Sequence, residues 1–226
     1  MQKSKIIKII SAFISLMPLN IIRIFFYRVV LGYNIDFHSK VGFLSVIVCN
    51  KVNLCRCRIG MLNYISCVEL TMKEGAWINN FNKVLLLNKL YLDKGAGIKN
   101  KNAVTGLYEE SFETRDNCNL ILGESSLITN QHGVDCTSEV IIGSNVVVAG
   151  SATQIWTHGF DHKRNMILKP LTIGDNVYVG SRSLLLGGVI CNDVVIGAGT
   201  TVSKTITKPG LYVSNKLEYK NIYEFN

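Results

Sequence analysis

An aliphatic residue recurs every six positions through much of the chain. The most regular series is Ile173, Val179 and Leu185, followed after a step of five by Ile190, Ile196 and Val202. A period of six fits neither a helix of 3.6 residues per turn nor a strand whose side chains alternate every two residues. It suits a coil of short flat faces, with one aliphatic side chain pointing inward from each face and a small residue at each corner.

The same period occurs earlier in the chain with more irregularity. It includes Leu122, Ile128 and Val134; Ile142, Val148 and Gln154; Ile35, Val41 and Ile47; Ile59 and Ile65; and Ile98 and Val104. With three hexapeptides to a coil, residues 33–206 are predicted to form an all-β solenoid of about nine coils. A sandwich of short strands is the alternative, but the period after residue 120 holds too well for it.

Residues 1–32 predict a separate pair of amphipathic helices with a break at Pro18. The expected apolar face of the first helix is Ile6, Ile7, Ile10, Phe13, Ile14 and Met17, and its expected polar face is Ser4, Lys8, Ser11 and Ser15. The longest uncharged run is too short to cross a bilayer, and no convincing signal-peptide cleavage site follows it. Two interpretations stay open: a cap on this domain or on a neighbouring subunit, and an amphipathic contact with the inner membrane face.

Composition narrows the classes of function. Of the 226 residues, 48% are hydrophobic and 18% charged, which favours an ordered domain, and the net charge of +8 favours anionic partners. No nucleic-acid-binding signature is present, so nucleic acid is not expected. The seven cysteines lack the spacing of a zinc site, and we expect free thiols in a reducing cytoplasm and no bound metal.

One long stretch interrupts the repeat. Residues 155–171 separate two regular series and are expected to form a loop that leaves the coil. The loop carries Trp156, His158, Asp161 and His162. A loop held at its base by a rigid scaffold is a favourable place for chemistry.

Two segments carry a family resemblance. Ile-Gly-Asp-Asn-Val-Tyr-Val-Gly-Ser at 173–181 and Ile-Gly-Ala-Gly-Thr-Thr-Val-Ser-Lys at 196–204 resemble the hexapeptide-repeat acyltransferases, which are left-handed parallel β-helices. The resemblance is strong over residues 120–210 and loose over 33–119. It implies a left-handed coil and a homotrimer with acyl-CoA bound between neighbouring subunits.

The chemistry of acyl transfer singles out histidine. A hydroxyl attacks a thioester slowly unless a base of near-neutral pKa takes its proton. Trp156-Thr-His158 with Asp161 is similar to the Thr-His-x-x-Asp segment of hexapeptide acetyltransferases that act on surface polysaccharides, so His158 is the predicted base. His132 resembles the start of a His-x-x-Asp-Cys segment in sugar O-acetyltransferases. It could bind the acceptor, assist the base or be structural, and either Asp135 or Asp161 could orient a catalytic imidazole.

The same resemblance implies the positions that hold the acyl donor, acetyl-CoA. Tyr178 and Ser181 match residues near the acyl group and the pantetheine arm, Gly197 and Ala198 match the position whose backbone binds the pantetheine amides, and Lys204 and Lys216 match basic residues near the phosphates. The tail 207–226 departs from the family's Gly-x-Pro turn, which weakens the match of Lys216. Trp156 could stack on a sugar ring, shield the thioester or simply pack.

The sequence therefore predicts an O-acetyltransferase that moves acetyl from acetyl-CoA directly to a hydroxyl of a sugar or polysaccharide precursor. It is expected to be cytoplasmic, with possible contact to the inner face of the membrane. N-acylation of an amino-sugar nucleotide is the nearest alternative. The others are a metal hydratase of the same fold, with His158, His162 and a third histidine from another subunit as ligands, and a non-catalytic scaffold.

Overall fold

A computed structural model describes residues 2–107 and 117–214, with the side chains of residues 2–4 left out. Its helices are α1 (Gln2–Ser15) and α2 (Asn20–Leu31). Its strands are β1 (Asn34–Ile35), β2 (Lys40–Val41), β3 (Val46–Leu54), β4 (Arg58–Ile59), β5 (Tyr64–Met72), β6 (Trp77–Ile78), β7 (Lys83–Leu92), β8 (Gly97–Ile98), β9 (Ala103–Thr105), β10 (Asn119–Leu122), β11 (Leu127–Asn130), β12 (Gly133–Asp135), β13 (Val140–Ile142), β14 (Val147–Ser151), β15 (Gln154–Ile155), β16 (His158–Phe160), β17 (Met166–Leu168), β18 (Leu171–Ile173), β19 (Tyr178–Val179), β20 (Leu184–Leu185), β21 (Gly188–Ile190), β22 (Val194–Ile196), β23 (Thr201–Val202) and β24 (Gly210–Tyr212).

Parallel strands stack into the three faces of one coil. The first face holds nine strands in the order β2-β4-β6-β8-β11-β14-β19-β22-β24. The long strands β3, β5 and β7 each contribute their first half to the second face and their second half to the third face. The second face continues with β9-β12-β15-β20-β23 and the third with β10-β13-β18-β21. The chain makes about eight turns of a left-handed parallel β-helix, which confirms the predicted fold class.

The inward positions are those that the six-residue period marks. Ile173, Val179, Leu185, Ile190, Ile196 and Val202 are all buried, and they continue one aliphatic column that runs the length of the coil. Gln154 is the exception, because its side chain is exposed and Ile155 takes the inward place. The register shifts by one residue where β11 pairs with β14, next to Gly150 at φ +69°. One extra corner residue therefore lengthens this step to seven.

The three corners of the coil differ in what they carry. Corner one joins the first face to the second, corner two the second to the third, and corner three the third back to the first. At corner two β3, β5 and β7 bend through without a break, whereas every later coil interrupts the strand there. The loop at 156–170 is one of these interruptions, so the later coils leave corner two free for projecting segments.

A ladder of buried polar side chains runs along corner one. Each member directly precedes a strand of the second face: Ser45, Asn63, Asn82, Asn102, His132, Thr153, Ser183 and Thr200. The backbone N–H of Asn82 donates to Oδ1 of Asn63 at 2.9 Å, and that of Asn102 donates to Oδ1 of Asn82 at 2.9 Å. The ladder thereby satisfies backbone groups that the tight turns leave without strand partners.

The two helices cap the N-terminal end of the coil. Ile14, Ile24 and Tyr27 are buried and join the aliphatic core. The expected faces of α1 are wrong in part, because Ser11 is fully buried while Phe13 is 68% exposed. Ser11 Oγ accepts the N–H of Ile47 at 2.8 Å and lies 3.0 Å from the Tyr27 hydroxyl, so it binds the part of the β3 edge that β1 does not pair with. Neither described helix is long and apolar enough to cross a membrane.

Candidate active site

His158 and Asp135 meet at corner two. Asp135 ends β12, and His158 begins β16 one coil further along the chain. The Nδ1 atom of His158 lies 2.8 Å from Oδ2 of Asp135, and both side chains are mostly buried, at 22% and 12% exposure. Because a carboxylate accepts, Nδ1 carries the proton in the neutral ring and Nε2 keeps its lone pair.

Asp135 is held by several donors besides the histidine. Its Oδ1 accepts the Thr137 hydroxyl at 2.7 Å, and its Oδ2 accepts the Thr157 N–H at 2.9 Å. Burial alone would raise the pKa of Asp135, but the hydrogen bonds from Thr137, Thr157 and His158 outweigh it and the pKa lies below its usual value. Asp135 is therefore an ionised, fixed partner for the imidazole.

Thr157 links this pair to the scaffold. Its side chain is fully buried, and its hydroxyl lies 3.0 Å from both Oδ2 and the carbonyl oxygen of Asp135. The same hydroxyl accepts the N–H of Ser138 at 2.8 Å. The residue before His158 is thus pinned to the coil below, which fixes the root of the loop and the direction of the imidazole.

The rest of the loop forms a short hairpin. Strand β16 pairs antiparallel with β17, with His158 opposite Leu168. Asp161 lies in the turn, where its Oδ1 accepts the N–H groups of Lys163 and Asn165, each at 2.8 Å. Asp161 therefore shapes the hairpin turn, and the carboxylate on His158 is that of Asp135. His162 is exposed in the same turn.

Two aromatic side chains flank the imidazole. Trp156, 42% exposed, and Phe160, 63% exposed, make edge contacts with the His158 ring at centroid distances of 5.9 and 5.8 Å. Sequence reasoning singled out Trp156 and missed Phe160. The spacing 156, 158, 160 was the available signal, because alternate residues of an extended segment share a side.

His132 lies at corner one and belongs to the polar ladder. Its Nδ1 accepts the N–H of Thr153 at 3.1 Å, and its Nε2 lies 2.9 Å from the Thr129 hydroxyl. Burial lowers the pKa of His132 to about 4. Both ring nitrogens are engaged within the coil, so His132 is neutral and offers no free base.

The residues matched to acetyl-CoA lie mainly along corner one of the last coils. Tyr178 is 47% exposed, Ser181 is half-buried and Ala198 is exposed. Gly180 packs on the following coil so closely that an added Cβ would meet the Ala198 nitrogen at 2.5 Å. Gly197 and Ala198 lie in the same turn, directly above Gly180 and Ser181 of the preceding coil. We call these four residues the ridge of corner one.

Lys204 follows β23 and lies at corner two, on the same edge as His158. It lines a groove of about 350 Å³ together with Thr201, Tyr212 and Ser214. Lys216 lies outside the described residues. Among the described residues, no group of three or more His, Cys, Asp or Glu side chains is placed to hold a metal ion. Cys136 is fully buried, and burial raises the pKa of its thiol.

Comparison with known proteins identifies the repeat. The model of the bacterial transferase hexapeptide (six repeats) matches residues 170–204. Residues 170–204 thus carry the hexapeptide repeat that this family model describes. Galactoside O-acetyltransferase of Escherichia coli (strain K12) is 41% identical over 73 residues, which cover 30% of this chain and 36% of that protein. The hexapeptide-repeat chain thus spans about a third of the length of this curated relative.

Solved structures of the family are similar over somewhat more than half of the chain. A maltose O-acetyltransferase from Clostridium difficile 630 is 21% identical with a TM-score of 0.44, covering 58% of this chain and 66% of that one. A hexapeptide-repeat acetyltransferase from Vibrio cholerae, solved with acetyl coenzyme A, is 21% identical with a TM-score of 0.45, covering 55% and 66%. Neither likeness bears on the chemistry of the site.

Proposed function

We propose that this protein is an O-acetyltransferase that transfers acetyl from acetyl-CoA directly to a sugar hydroxyl. The observation that carries the proposal is the His158–Asp135 pair, held at 2.8 Å at the root of a loop that projects from a hexapeptide coil. The coil is the family scaffold, and the pair is the base that the reaction requires. The 41% identity to a galactoside O-acetyltransferase over 73 residues supports the choice of a sugar acceptor.

The imidazole geometry fits a general base. Asp135 fixes the Nδ1–H tautomer, which leaves Nε2 to take the proton of the acceptor hydroxyl. The oxygen then attacks the thioester carbonyl, and the tetrahedral intermediate collapses with release of the CoA thiol, which receives the proton from His158. The imidazolium formed on the way is stabilised by the ionised Asp135. No covalent enzyme intermediate is needed, because the thioester is already activated.

The acetyl-CoA half of the site is proposed to come from a neighbouring subunit. Ser181 and Ala198 lie at corner one, whereas His158 lies at corner two of the same chain. The two sets of residues therefore face different edges of one coil, and packing corner one of one chain against corner two of another would bring them together. This is the arrangement that the family resemblance implies for a homotrimer.

The aromatic pair beside the imidazole suits a sugar. Trp156 and Phe160 present exposed ring surface on both sides of His158. Aromatic faces pack well against the apolar face of a pyranose, and they would hold a hydroxyl over Nε2 while limiting water at the thioester.

The test is release of CoA thiol from acetyl-CoA in the presence of a panel of mono- and disaccharides, with mass spectrometry of the product. The proposal predicts saccharide-dependent thiol release and a product acetyl group that mild alkali removes, as expected of an ester. An alkali-stable product would indicate an amide and overturn O-acetylation. Binding of acetyl-CoA without thiol release for any saccharide would overturn the assigned acceptor class.

A further inference from the structure

The outer side of the N-terminal cap is an exposed apolar surface. On α1 and just after it, the side chains of Ile6, Ile9, Phe13 and Leu16 are between 54% and 68% exposed. Their spacing of three and four residues places them in one stripe along the helix. The opposite side of α1 packs on the coil through Ile7, Ser11 and Ile14. The apolar stripe therefore remains exposed to solvent when the helix is docked.

The second helix extends this surface. Ile21, Phe25 and Val29 recur every four residues on α2 and are 52%, 50% and 66% exposed. Leu19, between the helices, is 57% exposed. The two stripes and Leu19 expose eight large apolar side chains on the helices that cap the coil, and so much exposed apolar area is unusual for a protein that meets only water. We call these residues of α1, α2 and their connection the apolar cap surface.

The charges on the two helices and their connection are all positive, and the next acidic residue along the chain is Asp36, whose carboxylate lies 3.0 Å from Nδ1 of His38. Residues 1–35 contain five basic residues and no acidic residue. Of these, Arg23 is buried and donates to the carbonyl oxygen of Val41, whereas Lys5 and Lys8 are exposed. The absence of acidic side chains removes the repulsion that an anionic surface would otherwise meet.

A basic groove adjoins the apolar cap surface. It has a volume of about 320 Å³ and is lined by His38, Lys40, Arg56, Arg58 and Trp77, among others. Asn20, the first residue of α2, hydrogen-bonds the Ser39 carbonyl and the Val41 N–H on either side of Lys40, which fixes the groove beside the cap. Glu74 pairs with Arg56 at 3.3 Å, an exposed contact that neutralises one of these charges.

We propose that the apolar cap surface lies on an anionic lipid bilayer, with its apolar side chains in the headgroup region and the lysines and the basic groove against lipid phosphates. Apolar stripes flanked by basic residues and free of acidic ones are the composition that binds such membranes. The cap is at one end of the coil and the basic groove lies beside it on the first three coils, so a bilayer against the cap would also meet these coils. The helices, of 14 and 12 residues, are too short to cross a bilayer, so the proposal places them in the interface.

The proposal is independent of acetyl transfer, and its test has no activity readout. The full chain is sedimented with phosphatidylcholine vesicles that either contain or lack phosphatidylglycerol, at low and high salt. The expected result is binding to the anionic vesicles only, weakened by salt. The double variant Phe13→Ser/Phe25→Ser should bind the anionic vesicles at least about tenfold more weakly. Lys5→Glu should also weaken binding.

Phe81→Ser is the matched control, because Phe81 is 54% exposed at corner one, away from the cap. It should bind vesicles as the unchanged protein does. The proposal is overturned if the unchanged protein stays in the supernatant, or if the double variant binds as well as Phe81→Ser. Sedimentation velocity without lipid is a further check on what covers this surface. If the protein does not bind vesicles, and its oligomer dissociates in the double variant but not in Phe81→Ser, then a second copy of the chain covers the surface and the proposal of membrane binding is overturned.

Discussion

At the scale of single residues, the contact between His158 and Asp135 decides which carboxylate matters. Asp135→Asn should lower kcat by about two to four orders of magnitude, because a neutral amide neither fixes the tautomer nor stabilises the imidazolium. The affinity for acetyl-CoA should stay near that of the unchanged protein. Steady-state kinetics on an active saccharide, with CoA affinity from calorimetry, checks both parts.

Asp161→Asn is the control for that variant, since Asp161 bonds only within the hairpin turn among the described residues. Its kcat should fall by no more than about threefold, within the range of surface substitutions. Equal losses in both variants would mean that Asp135 has no special role.

His132 is expected to be structural, and its pH behaviour tests that. Its pKa of about 4 in the folded protein lies below the ordinary 6.5, so the unfolded chain binds a proton more readily over that interval. The stabilising effect of the neutral ring is present above pH 6.5 and is lost as the pH falls towards 4. Acidification should therefore cost up to about 3 kcal/mol of unfolding free energy through this one group.

His132→Asn isolates the effect, because asparagine is the ladder residue of the three preceding coils. The variant should keep most of its activity, and its stability should fall less steeply with acid than that of the unchanged protein. Urea unfolding from neutral to acid pH measures the difference between the two curves, which cancels the contribution of Asp135. Parallel curves, or loss of activity in a folded variant, would contradict the structural assignment.

At the scale of elements, the corners fix how closely the coils stack. Gly180→Ala would bring a Cβ within 2.5 Å of the backbone nitrogen of Ala198, an atom that cannot move alone. We expect a loss of about 2–4 kcal/mol in unfolding free energy and weaker acetyl-CoA binding, because the ridge of corner one would separate there. Gly159→Ala makes the same change in the hairpin, where no atom lies within 4 Å, and should leave stability almost unchanged. Similar losses in the two variants would refute this account of the corners.

Periodicity predicted the elements of the coil well, because one inward aliphatic residue per face is a local rule. It placed Gln154 inward in error, since an extra residue at the Gly150 corner depends on the register with the neighbouring coil. It also assigned Ser11 to the polar face of α1, whereas the side chain is buried against the coil. A buried serine is stable there because it bonds the Ile47 N–H, a contact between residues 36 positions apart that helical spacing cannot reveal.

The candidate site was predictable in its residue types and only partly in its arrangement. His158 followed from the interruption of the repeat and from family resemblance. The choice between Asp135 and Asp161 required coil stacking, because the nearer residue in sequence points into its own turn while the residue 23 positions away reaches the ring. The role of His132 depended on aligning the corners of successive coils, and the asparagines at 63, 82 and 102 were the sequence signal for it.

At the scale of the whole molecule, the proposed site needs two chains. His158→Ala lacks the base, and Ala198→Asp would place a carboxylate where the pantetheine arm is proposed to lie; each variant alone should be inactive. If the site joins corner two of one subunit to corner one of the next, dissociating the two variants together and reassembling them should restore about a quarter of the activity, since a quarter of randomly formed sites carry both intact halves. Absence of recovery in mixed oligomers, verified by mass, would place each site within one chain.

The most direct test of the central claim is the activity of His158→Ala with acetyl-CoA and an accepted saccharide, measured as thiol release. His162→Ala, four residues away in the exposed turn, is the control. The account predicts a fall in kcat of about three orders of magnitude or more for His158→Ala, with acetyl-CoA affinity retained, and little change for His162→Ala. A His158→Ala protein that is folded, binds acetyl-CoA and keeps kcat within about tenfold of the unchanged protein would contradict it.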